Sequence, residues 1–331
     1  MLKTEYQYLV ENKPWQETEK HFNALPKAEV APITNLDIDT AQWIDFTVKH
    51  FDQAQQKWEE PKSHYTDKSN ELAELNNRLG RNKHNTFELL NKKIKEKRPL
   101  SVIRKGDGEN IIIAYGIHNG IRLKKYVKKL RHFNIRYYDF KFQKFFRSEL
   151  VNSFSNADFL GVPSKIHYHG YSSSVRKFDF EITNHFQLNK NKSLIDSHFH
   201  LEFVKNPKNE NLLNPLAQKI ISNKKIGIIS HLQIDKFLNY HNSEIIDQFS
   251  IPKRDNGFFN KMNQKKLNFI LKQIENTNNK VDLWLVAAGA YAKIFCNHIK
   301  INNGIGIDLG SAIDTWAGEY HSRKYLKKII N

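Results

Sequence analysis

Between residues 100 and 309, short apolar runs alternate with stretches of helical pattern. The runs cover residues 100–104, 157–162, 193–195, 225–229, 281–287 and 304–309. Strands that alternate with helices are typical of α/β proteins, because a helix carries the chain back to the end of the sheet where the next parallel strand begins. The pattern therefore predicts an α/β fold with a mostly parallel sheet and flanking helices.

Residues 1–97 show a different pattern, which is mainly helical. Apolar residues recur at helical spacing in 41–58 and 67–79, and Asn85 with Glu88 forms a capping-box pattern that opens a third helix at 86–97. No catalytic motif is evident in this part of the chain. We therefore expect a mainly helical N-terminal extension, residues 1–97, followed by a catalytic domain, residues 98–331.

The charge of the chain is strongly positive and unevenly distributed. Its 331 residues include 52 Lys and Arg against 35 Asp and Glu, a formal net charge of +17. The first 60 residues hold six lysines and eleven acidic residues, so residues 61–331 hold 46 basic and 24 acidic residues, a balance of +22. A basic surface favours an anionic partner: nucleic acid, anionic lipid or a phosphorylated substrate. A biased genome composition explains the same excess of basic residues. The charge alone therefore does not show that the protein has an anionic partner.

Three absences narrow the class of protein. No apolar run approaches the roughly 20 residues that span a bilayer, and the first residues lack the apolar core of a signal peptide. The single cysteine, Cys296, excludes an internal disulfide framework and a Cys-rich zinc site. The expected location is the cytoplasm, with peripheral attachment at the inner face of the membrane left open.

The first apolar run ends in a segment that carries two carboxylates. Residues 104–109 are Arg-Lys-Gly-Asp-Gly-Glu, so Asp107 and Glu109 stand at positions i and i+2 of one tight turn. Carboxylates at the end of a strand can hold a hard divalent cation, and such a cation neutralises a departing nucleotide diphosphate. An ordinary polar β-turn has the same composition, so the spacing alone leaves both interpretations open.

The apolar run 281–287 leads into a turn of small residues, and a helix is expected to begin directly after this turn. The turn is Ala287-Ala288-Gly289-Ala290. Small residues let a phosphate approach the free N–H groups and the positive end of the helix dipole. Tight packing of the strand against the helix is the alternative explanation.

The last run, residues 304–309, also ends in polar residues. Asp308 closes the strand, and Ser311 and Asp314 follow it. Ligands bind outside the carboxyl ends of the strands in open α/β sheets, so these side chains are expected to face the same crevice as Gly289. An exposed loop after an edge strand explains the segment equally well.

Four segments together resemble a known family. They are the R-x-G-D-G-E sequence at 104–109, residues 157–163, residues 287–290, and the D-x-G-S-x-x-D sequence that begins at Asp308. In order and approximate spacing they are similar to the GT-D-fold glycosyltransferases, over about residues 98–325. The resemblance implies a Rossmann-like sheet that binds a nucleotide sugar. It also implies a D-x-E metal motif on Asp107 and Glu109, which would hold Mn²⁺ or Mg²⁺.

The resemblance further implies a function. We expect a metal-dependent glycosyltransferase that moves a sugar from a nucleotide-diphosphate sugar to a glycan, glycolipid or glycoprotein acceptor in bacterial surface-polysaccharide assembly. The expected catalytic residues are Asp107, Glu109 and Asp314; Glu319 and His231 are the other candidates for the base that deprotonates the acceptor hydroxyl. The expected substrate-binding residues are Arg104, Lys105, Gly106, Gly108, His231, Gly289, Ala290, Asp308 and Ser311. Lys105 stands where an aromatic residue is common in the family.

A basic amphipathic pattern lies between the first two runs. Residues 120–132 place Lys124, Lys125, Lys128 and Lys129 on an outer face, and residues 141–147 interleave aromatic and basic side chains. An anionic lipid surface or a phosphorylated carrier is one possible partner. A solvated helix face is the alternative.

The alternative function is nucleic-acid binding without transferase activity. The positive balance and the basic aromatic segment support it. It does not explain acids and glycines at successive strand ends, and the sequence contains no recognised nucleic-acid motif. The sequence therefore favours the transferase, with a nucleotide sugar and a glycan or lipid-linked acceptor as partners and no nucleic acid.

Overall fold

The computed structural model describes residues 83–115, 123–136, 138–162, 179, 182–183, 185–188, 193–197, 199–205, 213–251 and 262–322. The predicted helices at 41–58 and 67–79 lie outside these residues.

Seven strands in the described part of the chain form one sheet. They are β1 (Leu100–Arg104), β2 (Phe159–Val162), β3 (Ser193–Asp196), β4 (Lys225–Ile229), β5 (Glu244–Phe249), β6 (Leu283–Val286) and β7 (Ile305–Asp308). Their order is β3-β2-β1-β7-β6-β4-β5, and all neighbouring pairs are parallel. The predicted parallel α/β sheet is confirmed. Every predicted run overlaps one strand, whereas β5 was not predicted.

Helices connect the strands and pack on both faces of the sheet. They are α1 (Lys83–Lys95), α2 (Asp107–Ala114), α3 (Leu123–His132), α4 (Phe140–Asn156), α5 (Pro215–Ile221), α6 (Asp235–Tyr240), α7 (Gln264–Thr277), α8 (Tyr291–Ile301) and α9 (Ala312–Trp316). None of the helices in the described ranges combines the length and apolarity that a bilayer crossing requires.

The core has two halves, one on each face of the sheet. Trp284 and Val286 of β6 pack into one half, together with α2, α3, α4, α7 and α8. Leu283 and Leu285 pack into the other, together with α1, α5, α6 and α9. Successive side chains of a strand point to opposite faces, so a strand between two helical layers needs apolar residues at every position. This is why the central strands are continuous apolar runs in the sequence.

Helix α1 belongs to the core of the sheet domain. Phe87, Leu90 and Ile94 are almost fully buried in the same half as Leu100 and Val102 of β1. The predicted third helix at 86–97 therefore exists, beginning three residues earlier, at Lys83, and ending at Lys95. The boundary at residue 98 between an extension and a catalytic domain stays a prediction, since residues 1–82 are not described.

The order of the strands reverses beside β1. From β1 the chain adds β2 and β3 on one side, then crosses to the other side, and β7 finally returns next to β1. Because the strands are parallel, the carboxyl ends of β1, β7 and β6 meet at one edge. Ligands of open α/β sheets bind at such a reversal point, so the fold itself indicates where a site belongs.

Candidate active site

Four charged side chains converge where β1, β7 and β6 end. Arg104 ends β1, Asp308 ends β7, Glu109 lies in the first turn of α2, and Lys293 lies in the first turn of α8. We call these four side chains the charged cluster. The predicted residues Arg104, Glu109 and Asp308 are therefore brought together, and Lys293 joins them.

Lys293 is at the centre of the charged cluster. Its Nζ lies 2.8 Å from Asp308 Oδ2 and 2.9 Å from Glu109 Oε1, and it donates to the Gly289 carbonyl oxygen at 3.1 Å. The side chain is only 3% exposed. An ammonium group has three N–H donors, so these three acceptors satisfy it completely. Lys293 thus links α2, the end of β7 and the turn after β6.

The neighbouring charges keep both Lys293 and Asp308 ionised despite their burial. Burial alone would raise the pKa of Asp308, but the Arg104 guanidinium and the Lys293 ammonium outweigh burial and hold that pKa below its usual range. Burial alone would lower the pKa of Lys293, but the Asp308 and Glu109 carboxylates hold it above its usual value. Lys293 and Asp308 are therefore both charged at neutral pH.

Arg104 is fixed between Asp308 and His200. Its Nε lies 3.4 Å from Asp308 Oδ2, and its Nη1 lies 2.9 Å from Nδ1 of His200, in the 3₁₀ segment Phe199–Phe203 after β3. Gly310 has a φ of +48°, and a Cβ there would overlap the Arg104 guanidinium. Both features favour glycine at 310, and the glycine of the D-x-G-S-x-x-D sequence makes room for the arginine.

The segment 106–109 is the start of a helix, which corrects the tight turn predicted for it. Gly106 has extended backbone at the N-cap, and α2 begins at Asp107. The helix forms because the residues that follow, Ile111 to Ile113, are completely buried in the core. A Cβ on Gly106 would meet Oε2 of Glu109 at 2.6 Å, so the glycine lets Glu109 fold back over the N-cap.

Two predicted glycines lie against the ring of Phe133. A Cβ on Gly108 would meet Phe133 Cζ at 2.7 Å, and a Cβ on Gly289 would lie 3.9 Å from Phe133 Cδ1. Gly289 is exposed and has a φ of +57°, a conformation that favours glycine. Phe133, just beyond α3, therefore borders both the α2 segment and the turn before α8.

Lys105 is not part of the charged cluster. Its side chain is buried, its Nζ lies 3.0 Å from Asp179 Oδ1, and it also donates to the Thr183 hydroxyl. Asn110 of α2 donates to the same Asp179 oxygen at 2.5 Å. Lys105 therefore links the segment around residue 179 to the start of α2. Its predicted contact with substrate stays a prediction.

The other predicted residues lie around this edge of the sheet. Ser311 occupies the N-cap position of α9 and is half-buried, while Asp314 lies within that helix and is 8% exposed. Ala290 is fully buried. His231, half-buried, follows the end of β4, which is separated from β7 by β6. Their roles in binding and catalysis stay predictions.

Glu109 supplies the described carboxylate oxygens at the predicted cation position, and the side chain of Asp107 lies outside the described part of the chain. One oxygen of Glu109, Oε1, faces Lys293, and the other, Oε2, faces Gly106 next to Asp107. Carboxylate oxygens are the ligands that Mg²⁺ and Mn²⁺ prefer. No group of three or more His, Cys, Asp or Glu side chains within the described ranges is arranged to hold a metal. Mg²⁺ sites with one or two carboxylates take their remaining ligands from substrate phosphates and water.

Sequence reasoning gave no role to two residues that shape the site. Lys293 lies four residues after Gly289, one helical turn on, and this spacing returns its side chain to the turn. That i, i+4 relation was the available signal. Phe133 has no comparable signal, because its contacts with Gly108 and Gly289 arise only from tertiary packing.

A parallel α/β sheet with charged residues and an exposed glycine turn at its reversal point defines a protein of the Rossmann-like α/β class. The model of the GT-D fold-like domain matches residues 81–316, which is most of the chain. The chain belongs to this family, and the predicted resemblance to GT-D-fold proteins is confirmed. Family membership places it in the glycosyltransferase class of enzymes.

Two solved structures illustrate the similarity. One is described with the words that the highly conserved domain of unknown function 1792 has a distinct glycosyltransferase fold. It is 16% identical in sequence to this chain, with a TM-score of 0.42. The match covers 71% of this chain and 79% of the other chain. The other is described as a new glycosyltransferase (DUF1792) from Streptococcus sanguinis; it is 15% identical, with a TM-score of 0.40, covering 71% and 82%. No curated protein matches the chain.

Proposed function

We propose that this glycosyltransferase uses a nucleotide-diphosphate sugar as donor and transfers the sugar to a glycan, glycolipid or glycoprotein in bacterial surface-polysaccharide assembly. The observation that carries the proposal is the charged cluster at the reversal point of the sheet, beside the exposed Gly289 turn. A diphosphate needs positive charge and N–H donors, and this edge of the sheet supplies both.

The donor diphosphate binds at the Gly289 turn in this proposal. Gly289 lies just before α8, an eleven-residue helix whose positive dipole end faces the crevice. Arg104 is the most exposed cation of the charged cluster, at 19%, and it faces the phosphate charge. Asp107 and Glu109 hold Mn²⁺ or Mg²⁺, which when bound neutralises the charge that develops on the departing diphosphate.

The acceptor hydroxyl loses its proton to a side chain at the same edge. Asp314 is our candidate for this base, since α9 follows directly after the loop that ends β7. Its carboxylate is only 8% exposed and is therefore largely shielded from water. Asp308 is unsuited to this role, because Arg104 and Lys293 lower its pKa, which weakens it as a proton acceptor.

A panel of nucleotide-diphosphate sugars, each with and without Mn²⁺, tests the proposal. We expect at least one donor to raise the melting temperature, with a larger rise when Mn²⁺ is present. Gly289→Val should abolish the donor-dependent rise, because the side chain occupies the phosphate position. Gly318→Val is the matched control: Gly318 also has a positive φ, of +81°, but no atom lies within 4 Å of a Cβ there. If no donor stabilises the wild-type protein, the proposed donor class is wrong.

We also propose that the protein contacts anionic membrane at the inner face, through α3 and α4. The two helices are joined by a hydrogen bond from the Tyr126 hydroxyl to Gln143 Oε1 at 2.9 Å. Exposed cations from both helices accompany Phe140, which is 73% exposed, and Tyr138, which is 45% exposed; the cations are Lys128, Arg131, Lys141 and Lys144. Aromatic rings among cations suit the interface of an anionic bilayer. The side chains of Lys124 and Lys125 lie outside the described part.

Replacing the four exposed cations Lys128, Arg131, Lys141 and Lys144 with glutamine should strongly reduce sedimentation with anionic vesicles. Each cation near such a surface contributes about 1 kcal/mol. The matched control replaces four exposed lysines elsewhere with glutamine and changes the net charge equally; these are Lys219, Lys225, Lys265 and Lys266. Equal losses in both quadruple variants would show that net charge, and not this surface, drives binding. A wild-type protein that stays in the supernatant at low salt would contradict membrane contact.

A further inference from the structure

Lys293 connects the two carboxylates of the charged cluster with the proposed donor site. It is a buried cation that touches both carboxylates of the charged cluster, Glu109 and Asp308, and the Gly289 turn. Lysine is rarely buried without partners, so these contacts explain its position. They do not yet explain what its charge does to the neighbouring site.

The two carboxylates hold Lys293 unequally. Asp308 is fully buried and is also paired with Arg104, so its position is fixed by two cations. The one ion pair of Glu109 among the described residues is with Lys293, through Oε1, and its other oxygen faces the N-cap at Gly106. Glu109 is therefore the member of the charged cluster that can respond to a new cation.

We propose that Lys293 is a positioning residue and internal counter-cation, which holds Glu109 in place and weakens the binding of a divalent cation that arrives without an anionic ligand. This inference rests on the proposed metal position at Asp107 and Glu109. The ammonium already neutralises the Glu109 carboxylate at 2.9 Å, and a divalent cation on the same carboxylate is repelled by it. A diphosphate relieves the repulsion, because its negative charges lie between the cations.

Two opposite effects follow from the removal of Lys293. Loss of its charge favours a divalent cation on Glu109, whereas loss of its contact lets the Glu109 side chain rotate. Repulsion between a unit charge and a divalent charge a few ångströms apart in a largely buried site exceeds the entropy of one side chain. The net effect is therefore tighter cation binding. A purely structural role predicts the reverse, since a disordered site binds a cation less tightly.

The test is a titration of each variant with MnCl₂ alone, followed by calorimetry or by the electron paramagnetic resonance signal of free Mn²⁺. We expect Lys293→Met to raise the Mn²⁺ affinity at least tenfold over wild type, and Lys293→Arg to leave it within a factor of three. The double variant Lys293→Met with Glu109→Gln should lose the gain, because the carboxylate is absent. After correction for the Mn²⁺ that pyrophosphate binds by itself, inorganic pyrophosphate should raise the Mn²⁺ affinity of wild type, and it should raise that of Lys293→Met less.

A second pair of variants tests the inference if Lys293→Met alone does not fold. Lys293→Met with Asp308→Asn removes one positive and one negative charge, so the remaining charges, Arg104 and Glu109, still balance. It should also bind Mn²⁺ at least tenfold more tightly than Asp308→Asn alone. Unchanged or weaker Mn²⁺ binding in this pair overturns the inference. A failed donor panel with the expected Mn²⁺ gain would reject the donor class and leave the role of Lys293 standing.

Discussion

Replacing Asp308 with alanine should destabilise the protein by about 3–5 kcal/mol, the usual cost of removing one partner from a buried ion pair. Asp308 is 0% exposed and contacts both Lys293 and Arg104. Its removal leaves the buried Lys293 and the partly buried Arg104 with one fewer carboxylate between them. Urea unfolding of the wild type and the variant, followed by circular dichroism, measures the difference.

Glu96→Ala is the matched control for an ion pair at the surface. Glu96 lies 2.8 Å from Arg98 Nε, and its side chain is 33% exposed. Pairs exposed to this degree contribute about 0–1 kcal/mol. A loss for Asp308→Ala no larger than that of Glu96→Ala would show that the charged cluster is not a source of stability.

The pH dependence of stability has a definite sign at Asp308. Its pKa is lowered in the folded protein, so its contribution is present above the pKa of an unfolded aspartate, about 3.9, and is lost as the pH falls through the folded value. Lys293 has a raised pKa, so its contribution is lost only as the pH rises through that value. Asp308→Asn should therefore lose less stability than wild type between pH 4 and pH 2.

The fold was predictable from the sequence where a strand is buried on both faces and therefore consists of apolar residues. β6 is buried on both faces, and its four residues, Leu283 to Val286, are apolar without interruption. β5 at the edge of the sheet is only half-buried, and Glu244, Asp247 and Gln248 interrupt its apolar residues. An edge strand with one partner does not need continuous apolar residues, and its pattern resembles a loop.

The site was most predictable where side chains lie at or soon after the end of a strand. Arg104 and Asp308 end strands, so a parallel sheet places them at one edge. Lys105 follows β1 just as directly, but Asp179, which is distant in the sequence, pairs with it in the interior. A lysine is ordinarily exposed, so neither the burial of Lys105 nor that of Lys293 can be inferred without knowing which carboxylates approach it.

Replacing Glu109 with glutamine, or Asp107 with asparagine, should lower kcat for sugar transfer by about a hundredfold or more, while the protein remains folded. A bound cation contributes several kcal/mol to the stabilisation of the departing diphosphate, and about 3 kcal/mol corresponds to a hundredfold in rate. The amide has the size of the carboxylate but lacks its charge. Lys293 keeps Asp308 and the Gly289 carbonyl as partners in Glu109→Gln, so the charged cluster remains paired.

Steady-state transfer at saturating donor and acceptor, with the donor found in the thermal-shift panel, measures this loss. Glu149→Gln, on the half-exposed side of α4, is the matched control and should retain wild-type kcat. EDTA should reduce wild-type kcat by a similar factor and affect the two site variants little, because the cation acts through these carboxylates. Wild-type rates in both site variants, or in EDTA, would remove the metal from the proposal. The family assignment and the parallel sheet would stand, since neither depends on the cation.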